Sequence, residues 1–141
     1  MKKSSRKDQK QMKQITKTAG KIMEQIKLMT GWNFVGAMKG DVCILKAGLI
    51  NPDNIRVDVT LEFNEGDVLL KTTAWKENFE QELVEQVIRK LKFPVTVEIL
   101  EGSTMTLSHH EPLGVLEHSL KGVIKDCIIP MVDAQAEIIS K

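Results

Sequence analysis

The residues from Ile55 to Ala74 constrain the fold more than any other part of the chain. Apolar and polar side chains alternate strictly over 55–63, and the apolar set is Ile55, Val57, Val59, Leu61 and Phe63. This period of two is typical of an antiparallel strand with one buried face. Asn64-Glu65-Gly66 then supplies a short hairpin loop with a glycine where a positive φ is needed, and alternation resumes over 67–74. The segment predicts a β-hairpin that must be covered on one face.

Further strands are predicted on both sides of this hairpin. Residues 32–38 and 42–47 read as two strands joined by a turn at Lys39-Gly40-Asp41. Residues 95–100 and 103–108 alternate again around a turn at Glu101-Gly102. Together these segments predict six strands that are neighbours in sequence, which favours a mostly antiparallel sheet.

Three helices complete the predicted order. The first covers about residues 10–29, the second follows an Asn78 cap with Gln81 three residues later, and the third follows Pro112 and is expected to kink or break at Pro130. The order α-β-β-β-β-α-β-β-α predicts an α+β fold with helices packed on one face of the sheet. We expect a single domain over 10–141, preceded by a disordered basic arm at 1–9.

Composition restricts the class of protein. With 141 residues, 42% hydrophobic and 28% charged, the chain has the composition of a soluble globular domain. It contains no apolar run near the roughly 18 to 20 residues that span a bilayer, and no secretory signal pattern, so a cytoplasmic location is expected. Cys43 and Cys127 are far apart within apolar runs, which favours two reduced core thiols over a disulfide framework.

The net charge of +1 is unevenly distributed. The first 14 residues carry six basic side chains against Asp8, and these are Lys2, Lys3, Arg6, Lys7, Lys10 and Lys13. The arm is interpreted either as a solvated terminus or as an electrostatic contact with nucleic acid, anionic lipid or an acidic partner. The outward positions of the predicted sheet lack the aromatic residues on which single-stranded nucleic acids stack, so only the arm is a candidate for such binding.

All three histidines lie close together in the sequence, at His109, His110 and His118. Adjacent residues of an extended segment point to opposite sides, and Gly114 stands four residues before His118, where a helical metal pair would need its second ligand. Three interpretations therefore remain open: ordinary residues around a helix start, a pH-responsive contact, or a metal or catalytic site.

Other chemical motifs are missing from the sequence. It has no glycine-rich phosphate loop and no nucleophile elbow. Cys127 has no histidine nearer in the sequence than His118, which weakens the case for a thiol nucleophile. We therefore expect a protein that is not an enzyme and that uses no cofactor.

The element order resembles the type III secretion chaperone-like fold, including the YbjN-like bacterial proteins. Three segments carry the resemblance, namely GDVCILKAGLINPDNIRVDVTLEFNEGDVLLKTTA, NFEQELVEQVIRKLKF and PLGVLEHSLKGVIKDCIIPMVDA, within about residues 12–139. The resemblance implies a non-enzymatic role, either dimeric binding of a partner polypeptide or regulation. The Lys-rich arm and the near-neutral pI depart from the acidic secretion chaperones.

The first predicted helix is the main candidate for a binding surface. Its apolar stripe includes the residues that we expect to contact a partner, which are Met12, Ile15, Ile22, Ile26 and Met29. The pattern itself favours packing of this stripe on the domain's own sheet, with self-association or contact with a partner helix as the alternative. The functional hypothesis is a protein-interaction module, expected to be a homodimer. The alternative is an accessory protein for nucleic acid or membrane surfaces that acts through the arm.

Overall fold

The computed structural model describes the backbone of residues 6–51, 53–101 and 103–140, and the side chains from Lys17 onward within those ranges. Its helices and strands, in chain order, are α1 (Arg6–Thr30), β1 (Val35–Lys39), β2 (Val42–Ile50), β3 (Arg56–Asn64), β4 (Asp67–Trp75), α2 (Gln81–Arg89), β5 (Thr96–Leu100), β6 (Thr104–Pro112), α3 (Leu113–His118), α4 (Leu120–Val123), a π-helical segment (Ile124–Ile128) and α5 (Ile129–Ser140).

The six strands form one antiparallel sheet in the order β1-β2-β3-β4-β6-β5. The predicted alternation along β3 is confirmed, because Val57, Val59, Leu61 and Phe63 are buried while the residues between them are partly exposed. The register places Leu61 opposite Leu70 and Phe63 opposite Val68, so the apolar side chains of neighbouring strands share one face. The sheet therefore has one dry face, as a half-buried antiparallel strand requires.

The helices cover this dry face. Helix α1 contacts β2, α5 contacts β3 and β4, and α2 packs on α5. Each fully buried Leu, Ile or Phe of this layer contributes roughly 1.5 to 3 kcal/mol through its removal from water. The predicted α+β class, with a mostly antiparallel sheet, is confirmed.

One buried polar side chain fixes α5 on the sheet. Gln135 is fully buried, its Nε2 donates to the Met105 carbonyl at 3.0 Å, and its Oε1 accepts from the Thr72 hydroxyl at 3.2 Å. A buried amide is costly unless its hydrogen bonds are made. This bridge therefore allows only one alignment of α5 over β4 and β6.

The boundaries of the first half differ from the sequence prediction in three places. Helix α1 begins at Arg6, so residues 6–9 of the predicted disordered arm are helical, and residues 1–5 lie outside the described chain. Strand β1 begins at Val35 and not at Trp32. Helix α2 begins after Glu80 and has no side-chain cap, so the Asn78 capping box is wrong. Phe79 packs against the core, and this packing prevails over the local capping preference.

The second half departs further from the prediction. Strand β6 does not end at Ser108 but stays paired with β4 as far as Pro112, opposite Asp67. The C-terminal helix breaks at Ser119 (φ −128°, ψ 38°), and a π-helical segment stands just before Pro130. In that segment the Ile129 N–H donates to the Ile124 carbonyl, five residues back. A proline cannot donate to the carbonyl four residues back, and the wider turn accommodates this loss.

Candidate functional site

The partner residues predicted on α1 fall into three groups. Ile22 and Ile26 are 1% and 0% exposed and belong to the domain's own core, which removes them from the accessible surface of this conformation. Met29 is partly exposed at the end of the helix. The side chains of Met12 and Ile15 lie outside the described part of the chain. The described half of the stripe is thus used to pack α1 on the sheet.

The residues of the basic arm cannot be placed at side-chain level. Lys2 and Lys3 lie outside the described residues, and Arg6, Lys7, Lys10 and Lys13 belong to a part of α1 for which only the backbone is described. Binding of polyanions through this arm stays a prediction.

The edge strand β1 is an exposed apolar surface. All five of its residues are exposed, and among the described residues only those of β2 pair with it. Val35 is 72% exposed and Met38 is 44% exposed. An edge strand carries unpaired N–H and C=O groups that can pair with another chain, and soluble proteins usually protect such edges. Here the open edge and the apolar side chains coincide.

A shallow groove of about 340 Å³ adjoins the beginning of this strand. Its apolar walls are Met23 of α1 and the segment from Trp32 to Phe34 that leads into β1. Lys27 and Glu24 lie at its rim. Leu28 is also exposed at the end of α1. We use the name β1 surface for the exposed apolar residues of this edge strand and of the end of α1, which are Leu28, Met29, Val35 and Met38. Val35 lies opposite Lys46 and Met38 opposite Cys43, so these two side chains project to opposite faces of the sheet.

The three histidines do not form one site. His109 and His110 occupy opposite faces of β6, as their adjacency predicted. His110 is exposed and its Nδ1 lies 2.7 Å from Asp67 Oδ2. His118 is exposed in the last turn of α3. His109 and His110 precede the start of α3 at Leu113, as predicted, but β6 continues through both, so they are strand residues and not residues of a loop.

His109 is buried, at 8% exposure, on the helix-covered face of the sheet. Strand β5 pairs with β6 only as far as Ser108, so His109 lies where β6 extends beyond its neighbour. Its ring packs on Phe93, with 4.8 Å between the ring centroids. Its Nδ1 lies 2.7 Å from the Pro94 carbonyl and its Nε2 lies 2.7 Å from Glu111 Oε2.

The contacts with Pro94 and Glu111 engage both ring nitrogens of His109. A carbonyl only accepts, so Nδ1 carries a hydrogen and donates it to Pro94. Nε2 lies within hydrogen-bonding distance of the Glu111 carboxyl group. Both nitrogens of His109 are therefore engaged.

Cys127 joins this pair from the π-helical segment. The ligand atoms of His109, Glu111 and Cys127 all lie within 4.8 Å of one another. We call these three residues the β6–π cluster. The sequence prediction misses it because the strand is expected to end at Ser108, whereas His109 and Glu111 lie on its continuation. On a strand, residues two apart do share a face, and this spacing was the available signal.

The Cys127 thiol is not activated as a nucleophile. Burial raises its pKa, and the negative charges of Glu111 and Asp126 raise it further. An activated thiol needs a lowered pKa or an adjacent general base. His109 offers no free nitrogen for that role, since Pro94 and Glu111 engage both.

A pocket of about 480 Å³ gives solvent access to this region. Cys127 lines it together with Phe93, whose ring contacts His109. Pro130 completes the apolar part, and Lys90 and Lys125 belong to the polar part. The β6–π cluster is thus buried on the sheet side and reachable from the cysteine side.

Comparisons with known proteins place the chain in no family: no family model, no curated protein and no solved structure matches it. The resemblance to the type III secretion chaperone-like fold stays a prediction. Within the described residues, no helix combines the length and apolar character needed to cross a membrane.

Proposed function

We propose that this chain is a non-enzymatic protein-interaction module that binds a partner polypeptide by strand addition at β1, with a second copy of the chain as the first partner to test. The observation that carries the proposal is the edge strand whose five residues are all exposed and include Val35 and Met38. Added strands gain main-chain hydrogen bonds from an open edge and specificity from pockets for their side chains.

The surroundings of β1 support this assignment. Leu28 and Met29 are further exposed apolar residues at the end of α1, and the groove lined by Met23 and Trp32 can accept an apolar side chain. Methionine side chains adapt to apolar partners of different shape. A strand of five residues spans only about 17 Å, so the groove adds the contact area that the strand alone lacks.

The binding site differs from the one predicted on α1. Ile22 and Ile26 hold the helix on the sheet, and their exposure to a partner would require α1 to detach. Placing the contact on β1 keeps the domain intact. Met29 is the one described residue common to both surfaces.

The test compares charge insertions at and away from the β1 surface. The double variant Val35→Glu, Met38→Glu adds two negative charges at the edge, and Val115→Glu on α3 is a single-charge control at an exposed apolar position. Size-exclusion chromatography with light scattering, over a range of concentrations, measures self-association. A display library of extended peptides measures binding to other polypeptides.

We expect wild type and Val115→Glu to associate with themselves or to select peptides. The affinity of the Val35→Glu, Met38→Glu variant should be lower by at least about tenfold. Self-association that disappears only in the β1 variant identifies a homodimer. Peptide binding without self-association identifies a different partner. A wild type that shows neither, or a β1 variant that behaves like wild type in both assays, overturns the proposal.

A further inference from the structure

The β6–π cluster combines three different metal-binding atoms in one partly buried place. His109 supplies an imidazole nitrogen, Glu111 a carboxylate oxygen and Cys127 a sulfur, all within 4.8 Å of one another. Nitrogen, oxygen and sulfur ligands are the set that Zn²⁺ accepts, whereas Mg²⁺ and Ca²⁺ prefer oxygen alone. The chemistry of the donors therefore points to a transition metal of the zinc type.

The distances need only local adjustment. With bonds of about 2.0 Å to nitrogen and oxygen and about 2.3 Å to sulfur, the ligand atoms of a tetrahedral zinc site lie about 3.3 to 3.8 Å apart. The nitrogen–oxygen pair at 2.7 Å must open and the sulfur must approach by about an ångström. Rotations about side-chain bonds of Glu111 and Cys127 are sufficient for changes of this size.

The surroundings of His109 match those of a metal ligand. A ligating histidine usually donates its other ring N–H to a carbonyl or carboxylate, which fixes the ring orientation. His109 already donates from Nδ1 to the Pro94 carbonyl at 2.7 Å, and Phe93 packs against its ring. Nε2 is thereby directed at the cluster before any metal arrives.

The position of Cys127 is a second, independent indication. It lies in a π-helical segment, and π-helical turns inside α-helices occur frequently at functional sites. It also lines the pocket of about 480 Å³, which gives an ion a route from solvent. The thiol thus joins a buried pair of ligands to an accessible opening.

We propose that His109 Nε2, a Glu111 carboxylate oxygen and Cys127 Sγ bind one Zn²⁺ ion, with a water molecule as the fourth ligand. Binding releases to solvent the protons that the ligand atoms carry, including the thiol proton of Cys127, and it needs no oxidant or reductant. The ion ties the C-terminal helical region to β6.

The experiment uses the full chain, reduced and freed of metal by a chelator. Zn²⁺ is titrated in competition with a chromogenic chelator, and Co²⁺ is titrated alone, because a thiolate bound to Co²⁺ gives a charge-transfer absorption band. The variants Cys127→Ser and Glu111→Gln remove one ligand each. Their matched controls are Cys43→Ser, at the other cysteine, and His110→Gln, at the neighbouring histidine on the opposite face.

The expected result is one Zn²⁺ per chain with a Kd below about 1 µM. Loss of a direct ligand should weaken binding by at least about 100-fold, beyond the 10- to 100-fold typical of outer-shell partners. The Kd of each control for Zn²⁺ should stay within about twofold of the wild-type value. At saturating Co²⁺ only Cys127→Ser should lack the charge-transfer band. Circular dichroism confirms that this variant is folded.

Three results would overturn the proposal. The first is no stoichiometric Zn²⁺ binding by the wild type. The second is binding that Cys127→Ser and Glu111→Gln leave unchanged. The third is loss of binding in His110→Gln, which would assign the ion to another surface. Should Glu111→Gln fail to fold, the Co²⁺ spectrum of Cys127→Ser against Cys43→Ser still decides.

Discussion

Two regions of the sheet depart from the usual distribution of residues in opposite ways: the β1 end, at the edge of the sheet, and the β6 end, where β6 extends beyond its neighbour β5. At the β1 end, Val35 and Met38 are apolar and lie in solvent. At the β6 end, His109, Glu111 and Cys127 carry polar or reactive groups and lie under the helices. Exposed apolar patches and buried polar groups are the two informative exceptions to the ordinary pattern of burial.

Different interactions stabilise the two ends of the sheet. The β1 end is held by the backbone ladder to β2 and by its hairpin turn, because the side chains of β1 are exposed. The β6 end is held by specific hydrogen bonds, and every buried side-chain nitrogen and oxygen among the described residues has a partner. Substitutions should therefore be tolerated at one end and poorly tolerated at the other.

The largest effect is expected for His109→Ala. It removes the ring packed on Phe93 and leaves Glu111 and the Pro94 carbonyl without their partner, so the free energy of unfolding should fall by about 3 kcal/mol. Urea denaturation measures this change. His110→Ala, on the exposed face, should cost less than about 1 kcal/mol. Equal losses in the two variants would contradict the difference drawn between the two faces of β6.

A pair of matched Val→Thr changes tests the burial contrast. Val59→Thr places a hydroxyl at a site that is 2% exposed and should lower the free energy of unfolding by about 2 kcal/mol. Val35→Thr has the same shape change on β1 and should stay within about 0.5 kcal/mol of wild type at concentrations where the chain is monomeric. Thermal and urea denaturation of the two variants provide the comparison. A large loss for Val35→Thr would mean that β1 is covered in solution.

The hairpin turn of β1 should respond to backbone strain. Gly40 is the first residue of the two-residue loop between Lys39 and Val42, and its φ of +62° is the value that a type II′ turn requires there. Gly40→Ala should therefore lower the free energy of unfolding by about 1 kcal/mol. Gly20 lies inside α1, where an added methyl group meets no atom within 4 Å, and Gly20→Ala should stabilise by about 0.5 to 1 kcal/mol. Opposite shifts in the midpoint of thermal unfolding are the expected outcome, and shifts of the same sign would contradict it.

The smallest effect concerns the two cysteines, one near each end. Burial raises the pKa of both thiols, so both should alkylate more slowly than a free thiol, and the rates should rise with pH as thiolate forms. Cys127 lines a pocket and should react before Cys43, which is 5% exposed. In the folded chain the raised pKa favours the neutral thiol over the thiolate. The free energy of unfolding should therefore decline as the pH rises above the unfolded thiol pKa of about 8.5. Mass spectrometry of time points locates each adduct, and faster reaction at Cys43 would contradict the assignment.

The sequence predicts the parts of the fold that depend on local pattern. Alternation on β3 and β4 and the positive φ at Gly66 are confirmed, and Gly31 ends α1 with φ +78° and a hydrogen bond from its N–H to the Lys27 carbonyl. What it could not predict depends on contacts across the chain. The continuation of β6 is set by its partner β4, and the approach of Cys127 to Glu111 is set by how the C-terminal helices fold over that strand.

The π-helical segment has a consequence for how relatives of this chain should be recognised. A π turn holds one residue more than an α-helical turn, and each residue of an α-helix turns the chain by 100°. The extra residue lets Val123 before the segment and Met131 after it both face the core. A descendant that lost one residue between 124 and 128 would regain a regular helix with its two parts still in register, and it would lose the wider turn that carries Cys127. In an alignment of distant relatives, a single-residue gap at this place would therefore separate chains that retain the β6–π cluster from chains that have given it up.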